Sequence, residues 1–375
     1  MLEEIRISLD ARPLSTPVSG VGRLIAETLL HFPNPERYRF YLHSHLPLHP
    51  GHEKISKLKN VEWVQEKGVL SKKGGLFFLF PLPLSVRKIR PQLFWGSQQV
   101  SPFFLPSNLP VVLTYCDLVV YFYPGTMRKI AAFQQKLFQR FSVKKAKAIL
   151  SISKATAEDV CKFFSYPVQN SYVAYPGVSM PDIQSSLNLE KSERIQSLPS
   201  AYLLSVSTIE PRKNYPFLLK VYREYRKIAP NPLPWVILGK VGWETPGFQE
   251  ELKQEIREFE DIILIEKSTD TELHHIYRNS EVFLFASIYE GFGIPLLEAL
   301  SHGKKCLASD IPTFREIGGD SIPYLPIDSP QLWAEKIIEL QENPKVPIFH
   351  PEEFSWERSA KITAEVFEKV LKNER

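Results

Sequence analysis

Short apolar runs alternate with longer amphipathic stretches through the second half of the chain, the pattern that parallel βαβ units produce. Residues 202–206 (YLLSV), 235–238, 262–265, 282–285 and 305–308 read as buried strands. Between them, 216–228, 248–259, 271–279 and 295–302 place apolar residues at helical spacing. The first half repeats the alternation less cleanly. Strands are expected over 5–9, 38–43, 111–115, 148–151 and 172–174, with helices opening after Gly20, Thr126 and Ser153. The expected fold class is therefore α/β, with two Rossmann-like, doubly wound parallel-sheet domains. Residues 182–200 are polar and lack aromatic side chains, so they read as a linker between a first domain over 1–181 and a second over 201–354. A final helix over 355–370 is expected to return across the chain.

Composition narrows the class. With 375 residues, 43% hydrophobic and 23% charged, the chain has more than one core usually serves and is neither disordered nor fibrous. Cys116, Cys161 and Cys306 are odd in number and widely spaced, which disfavours a disulfide framework or a zinc knuckle and fits a reducing, cytoplasmic setting. The opening MLEEIRISLDARP lacks the layout of a signal peptide. The longest apolar stretch, 74–84 (GGLFFLFPLPL), is about half the ~20 residues of a spanning helix and holds two prolines. Charge is divided unevenly. Residues 1–180 hold 23 Lys and Arg against 11 Asp and Glu, a balance of +12; the remainder holds 23 against 31, or −8. The basic half suits an anionic partner such as a lipid headgroup, phosphate or nucleic acid, although an ordinary solvated surface would look the same.

In a parallel α/β sheet, ligands gather where strands end and helices begin. In the segment from Val282 to Gly303, a strand leads into Glu290-Gly291-Phe292-Gly293, followed by Ile294 and by Pro295 in the first turn of a helix. Gly291 and Gly293 permit close backbone approach to a phosphate. Glu290 and Glu298 would repel a diphosphate, so they are expected to face hydroxyl-rich groups such as a sugar and a ribose. The turn Ser207 to Asn214 (STIEPRKN) supplies two adjacent cations, Arg212 and Lys213, and Asn214 is expected to cap the helix that follows. Singly these residues suit an exposed basic turn and a solvated helix face. Together, at neighbouring strand ends of one sheet, they suit a nucleotide sugar.

The pair Glu290 and Glu298 within E-G-F-G-x-P-x-x-E-A, preceded by T-x-E-P-R-K-N, resembles the family 4 retaining glycosyltransferases. The segments S-G-V-G-R at 19–23, S-x-S-x-x-T-x-x-D-V at 151–160 and S-W-x-x-S-A at 355–360 are similar to that family too, so the likeness spans nearly the whole chain. It implies a GT-B architecture, two Rossmann-like domains facing a cleft, with the last helix returning to the first domain. It also implies roles. Arg212, Lys213 and Glu290 would form the catalytic set, the two cations on the donor diphosphate and Glu290 on hydroxyls of the donor sugar. Glu298 would hold the ribose. Gly291, Phe292, Gly293, Ile294 and Lys267 complete the expected donor-binding group, with a Gly20 and Gly22 loop closing over the cleft. Relatives commonly carry a His-Asp pair after the strand at 111–115; here Cys116 stands in place of the His and Asp117 is retained, both as candidate sugar contacts.

No Asp-x-Asp occurs and no Cys/His/Asp cluster has ligand spacing, so neither a bound metal nor a cofactor is expected. The expected reaction is transfer of a hexose, mannose by resemblance of the P-R-K-N turn, from GDP-mannose or a UDP-sugar. The resemblance implies retention of configuration, and with no clear nucleophile for the sugar's reactive face the expected form is front-side attack, with the departing charge stabilised by fixed cations. The acceptor would be a saccharide or a polyprenyl-linked saccharide in cell-surface polysaccharide synthesis. It would meet the basic half through 76–84, Arg87, Lys88, Arg90 and a helix over 127–147, with peripheral contact to a membrane. Cys116 motivates the alternative of a catalytically weakened sugar-nucleotide sensor or partner subunit. A dehydrogenase is disfavoured because no full G-x-G-x-x-G follows a strand, and a nucleic-acid binder because no recognised module accompanies the charge.

Overall fold

The computed structural model describes residues 4–126, 129–178, 193–242, 247–343 and 345–373. The chain divides into two compact units, the first Met1–Gly177 with Glu352–Arg375 and the second Val178–Pro351. The charge division follows them: the first unit holds 28 Lys and Arg against 17 Asp and Glu, the second 18 against 25, giving +11 and −7.

The first unit is built on seven strands, β1 (Ile5–Asp10), β2 (Tyr38–Ser44), β3 (Val61–Gln65), β4 (Leu93–Gly96), β5 (Val111–Tyr115), β6 (Ala146–Ser151) and β7 (Ser171–Val173). They form one parallel sheet in the order β3-β2-β1-β4-β5-β6-β7. Its helices are α1 (Gly20–Leu30), α2 (Gly74–Leu79), α3 (Pro81–Ile89), α4 (Val119–Phe122), α5 (Lys129–Lys145) and α6 (Lys154–Phe164). One face of the sheet buries Ile7, Leu9 and Trp95 against Ile25 and Leu29 of α1; the other buries Phe94, Val111 and Leu113 with Phe77, Phe78 and Leu82. Burial on both faces explains the continuous apolar runs.

The sequence reading missed β3, which alternates polar and apolar residues at the sheet edge, and β4, only four residues long. The apolar stretch at 74–84 is not one segment but parts of α2 and α3. Of the helix expected over 127–147, residues 127 and 128 lie outside the described residues and Lys129–Lys145 is helical.

The second unit holds a parallel sheet in the order β10-β9-β8-β11-β12-β13. Its strands are β8 (Tyr202–Val206), β9 (Trp235–Leu238), β10 (Ile262–Ile265), β11 (Ser280–Phe285), β12 (Lys305–Ser309) and β13 (Tyr324–Leu325). The helices are α7 (Glu193–Gln196), α8 (Tyr215–Ile228), α9 (Phe248–Phe259), α10 (Asp270–Asn279), α11 (Ile294–Ser301), α12 (Pro312–Gly318) and α13 (Pro330–Glu342). Of the expected linker, 182–192 lie outside the described residues, while α7 falls within the rest. The last helix, α14 (Trp356–Asn373), is part of the first unit. There Phe367 packs on Phe32 and Trp95, and Glu368 accepts hydrogen bonds from Arg37 and the Tyr38 hydroxyl. From β8 the chain builds the sheet outward through β9 and β10, then returns to lay β11 on the other side of β8. The carboxyl ends of β8 and β11 thus flank a topological switch point, where the two diverging loops leave a crevice.

Candidate active site

Two loops meet at that switch point. The loop after β8 holds Glu210, Arg212 and Lys213; the loop after β11 holds Ser287, Glu290, Gly291, Phe292 and Gly293. The Ile288 amide donates to the Arg212 carbonyl at 2.9 Å, fastening one loop to the other. Gly239, at the end of β9, lies so close to the first loop that a Cβ there would stand 1.8 Å from the Ser207 carbonyl oxygen, so no other residue fits.

The charged side chains form one cluster. Lys213 Nζ donates to Glu290 Oε1 and Arg212 Nη1 to Glu290 Oε2, both in close ion pairs. Ser287 adds a hydrogen bond to Oε1 at 2.7 Å. Arg212 also reaches Glu210 at 2.7 Å and the Tyr289 carbonyl at 3.0 Å. Lys213, Glu210 and Glu290 are 9%, 8% and 7% exposed, so these charges act through little water. Burial would raise the Glu290 carboxyl, but the two cations and the Ser287 hydroxyl overcome it and hold Glu290 at about 2. Burial pushes Lys213 down, and Glu290 opposes that shift. Sequence reading aimed Glu290 at hydroxyls; in the structure both of its oxygens are engaged with Arg212, Lys213 and Ser287. Glu210, given no role from sequence, is the second anion of the cluster.

Because Glu290 is lower in the folded chain than in the unfolded one, its contribution to stability is complete above its ordinary value of 4.5 and is lost as pH falls toward 2. Acid unfolding of the wild type should therefore steepen between about pH 4.5 and 2, and Glu290→Gln should flatten that limb; an unchanged limb would remove Glu290 as its source.

Beyond Glu290 the chain turns through Gly293 at φ +120° into α11. A Cβ at Gly293 would meet the Phe314 ring at 2.8 Å. Gly293→Ala combines that clash with a disfavoured backbone and should destabilise the second unit by about 2 kcal/mol, read as a lower denaturant midpoint; an unchanged midpoint would show that the turn tolerates a side chain. Thr313 Oγ1 donates to the Glu290 carbonyl at 2.8 Å, supporting the turn from α12. Phe292 is buried, and Ile294 opens α11 at the positive end of its dipole.

Glu298 lies one turn into α11, 6% exposed, and accepts a hydrogen bond from the Tyr277 hydroxyl at 2.9 Å. Tyr277 comes from α10 and was given no role from sequence. Lys267 follows β10, two strands from β8, hence about 10 Å along the same sheet edge at ~4.8 Å per strand. It lines a separate groove of about 350 Å³ with Ser197 and Leu198.

Asn214 occupies the position before α8 in the left-handed conformation, but its side chain makes no cap bond, correcting the expected role. Gly20, Gly22, Cys116 and Asp117 belong to the first unit. Gly20 and Gly22 are in the first turn of α1 rather than in a loop, with Ser19 accepting from the Gly22 amide at 3.2 Å. Asp117 accepts from the Val119 amide at 3.1 Å at the head of α4. Burial, reinforced by the Asp117 charge, pushes the Cys116 thiol up to about 12, so it is neutral. Among the described residues, no group of three or more His, Cys, Asp or Glu could hold a metal ion, and no helix is long and apolar enough to cross a membrane.

Two parallel-sheet α/β units, with paired cations and carboxylates at the switch point of the second, have the fold seen in solved glycosyltransferases. Residues 190–353 are a Glycosyl transferases group 1 domain, by their match to that family. The chain is similar to the O-antigen chain mannosyltransferase B of Escherichia coli, 24% identical across 97% of this chain and 99% of that protein. Among solved structures it resembles a glycosyltransferase from Rickettsia africae, with a TM-score of 0.69, 14% identity and 99% of each chain covered. It also resembles Anabaena HepE in complex with UDP and glucose, with a TM-score of 0.64 and 15% identity over 99% and 98%. At those identities the structural likeness establishes the fold.

Proposed function

We propose that the protein transfers mannose from GDP-mannose, with retention, to a saccharide or lipid-linked saccharide acceptor in cell-surface polysaccharide synthesis. The observation that carries this reading is the buried cluster of Arg212, Lys213 and Glu290 at the switch point, beside the start of α11. Its cations suit a diphosphate, and the α11 dipole adds to them. Mannose is supported by the name of the Escherichia coli relative.

In the proposed step, the bond from the anomeric carbon to the β-phosphate oxygen breaks while an acceptor hydroxyl bonds to the same face of that carbon. The acceptor proton passes to the departing phosphate. Negative charge grows on that phosphate, and Lys213 and Arg212, already fixed by Glu290 and Glu210, stabilise it without reorganising. Glu298, oriented by Tyr277, would accept from the ribose hydroxyls. The acceptor, and a peripheral membrane contact with it, are assigned to the basic first unit.

A panel of nucleotide sugars tests the donor. GDP-mannose should raise the melting temperature most, since a ligand at a hundred times its Kd stabilises the folded state by about 2.7 kcal/mol. A larger rise with a UDP-sugar would replace the donor, and NMR showing an inverted anomeric product would remove the front-side step. The neutral Cys116 thiol favours one second reading, a donor-binding subunit that turns over poorly. Full donor binding without transfer or hydrolysis would select it.

A further inference from the structure

The first unit contains a cavity of about 520 Å³ at the amino ends of its strands, bordered by Ile5 of β1, Gln92 before β4 and Pro110 before β5. It lies at the opposite edge of the sheet from Cys116 and Asp117. Four cations line it: Arg37, Arg87, Arg90 and Lys372. Arg37 is neutralised by Glu368, at 2.7 Å, the one carboxylate among the described residues of the lining. Among the described residues, the side chains of Arg90 and Lys372 make no hydrogen bond or ion pair, and Arg87 donates only to the Phe104 carbonyl, at 3.2 Å. Among the described residues, three positive charges therefore converge on one cavity without a counter-charge. Such an arrangement is stabilised by an anion able to accept several N–H bonds, and a phosphate meets guanidinium geometry best.

The rim indicates what carries that phosphate. Phe80, Leu84 and Phe104 are 42%, 55% and 53% exposed, and the Phe80 and Phe104 rings stack at 5.9 Å. Phe80 and Leu84 are four apart, with Arg87 and Lys88 one turn further along α3, so an exposed apolar stripe runs into the cationic rim. Apolar groups beside phosphate-binding cations match the boundary between acyl chains and headgroups.

We propose that this cavity binds the phosphate of an anionic phospholipid headgroup through Arg87, Arg90 and Lys372, with Phe80, Leu84 and Phe104 entering the adjoining acyl region. This deepens the membrane contact assigned above and is independent of the donor site. The full chain should float with vesicles of phosphatidylcholine and phosphatidylglycerol but not with phosphatidylcholine alone. Arg87→Ala/Arg90→Ala/Lys372→Ala should weaken that binding on the order of a hundredfold, and Lys54→Ala/Lys59→Ala/Lys67→Ala, an equal charge loss elsewhere on the unit, by threefold or less. All six side chains are exposed, so both variants should melt with the wild type, and their stabilisation by GDP-mannose reports the donor site separately. Retained binding by the cavity variant, or equal loss in both, would overturn the proposal. Stabilisation of the wild type by glycerol phosphate, absent in the cavity variant, with no vesicle binding by either, would overturn the lipid in favour of a soluble anion.

Discussion

Lys213→Ala is expected to lower the rate of sugar transfer by about 10² to 10³, the usual consequence of losing one fixed group that stabilises transition-state charge. Lys213 is suited to that role by its restraint. Its ammonium is pinned by Glu290, stands 5.1 Å from the Phe285 ring and is shielded from water, so it meets growing phosphate charge without rearranging. The loss should fall on kcat and kcat/KM together, since the interaction strengthens as the bond breaks. A rise in KM with kcat unchanged would make Lys213 a binding residue only. Steady-state kinetics on the folded variant distinguish the two.

Glu290→Gln is expected to act on stability as well as on transfer. The carboxylate is the shared counter-charge of Arg212 and Lys213. A neutral amide leaves Lys213 buried without its ion-pair partner and Arg212 with Glu210 alone. Removing one member of a buried pair typically costs about 3 to 5 kcal/mol, and equilibrium unfolding in denaturant should show a loss at the lower end, because Glu210 remains. Transfer should fall too, because both cations lose the anchor that orients them. Wild-type stability in this variant would mean that the cluster is neutralised by other groups.

From β8 to β12 and from α8 to α11 the order of elements in the second unit was legible because those strands are short apolar runs and those helices each keep one apolar stripe, whereas α7, α12, α13 and the two-residue β13 were not marked. The site was legible in part. Arg212, Lys213, Glu290 and the Gly293 turn stood out because a strand end, a glycine and a helix start converge there. Their wiring was not legible. Nothing in local sequence says that Glu290 would be claimed by Arg212 and Lys213, 78 and 77 residues away, rather than by a ligand hydroxyl. Tyr277 escaped notice because an aromatic at helical spacing reads as core, and its hydroxyl finds Glu298 only once α10 and α11 pack. In the first unit, β4 was hidden by its brevity, and Gly20 and Gly22 looked like a loop because glycine marks turns more often than it opens helices. The cations that line the first unit's cavity are spread from Arg37 to Lys372, so only the fold assembles them.

A crystal structure with GDP-mannose bound tests the donor site most directly. The diphosphate is expected within hydrogen-bond reach of Lys213 Nζ and the Arg212 guanidinium, at the head of α11, with the ribose hydroxyls on Glu298. A diphosphate held anywhere else, with the Lys213–Glu290 pair untouched by ligand, would contradict the assignment.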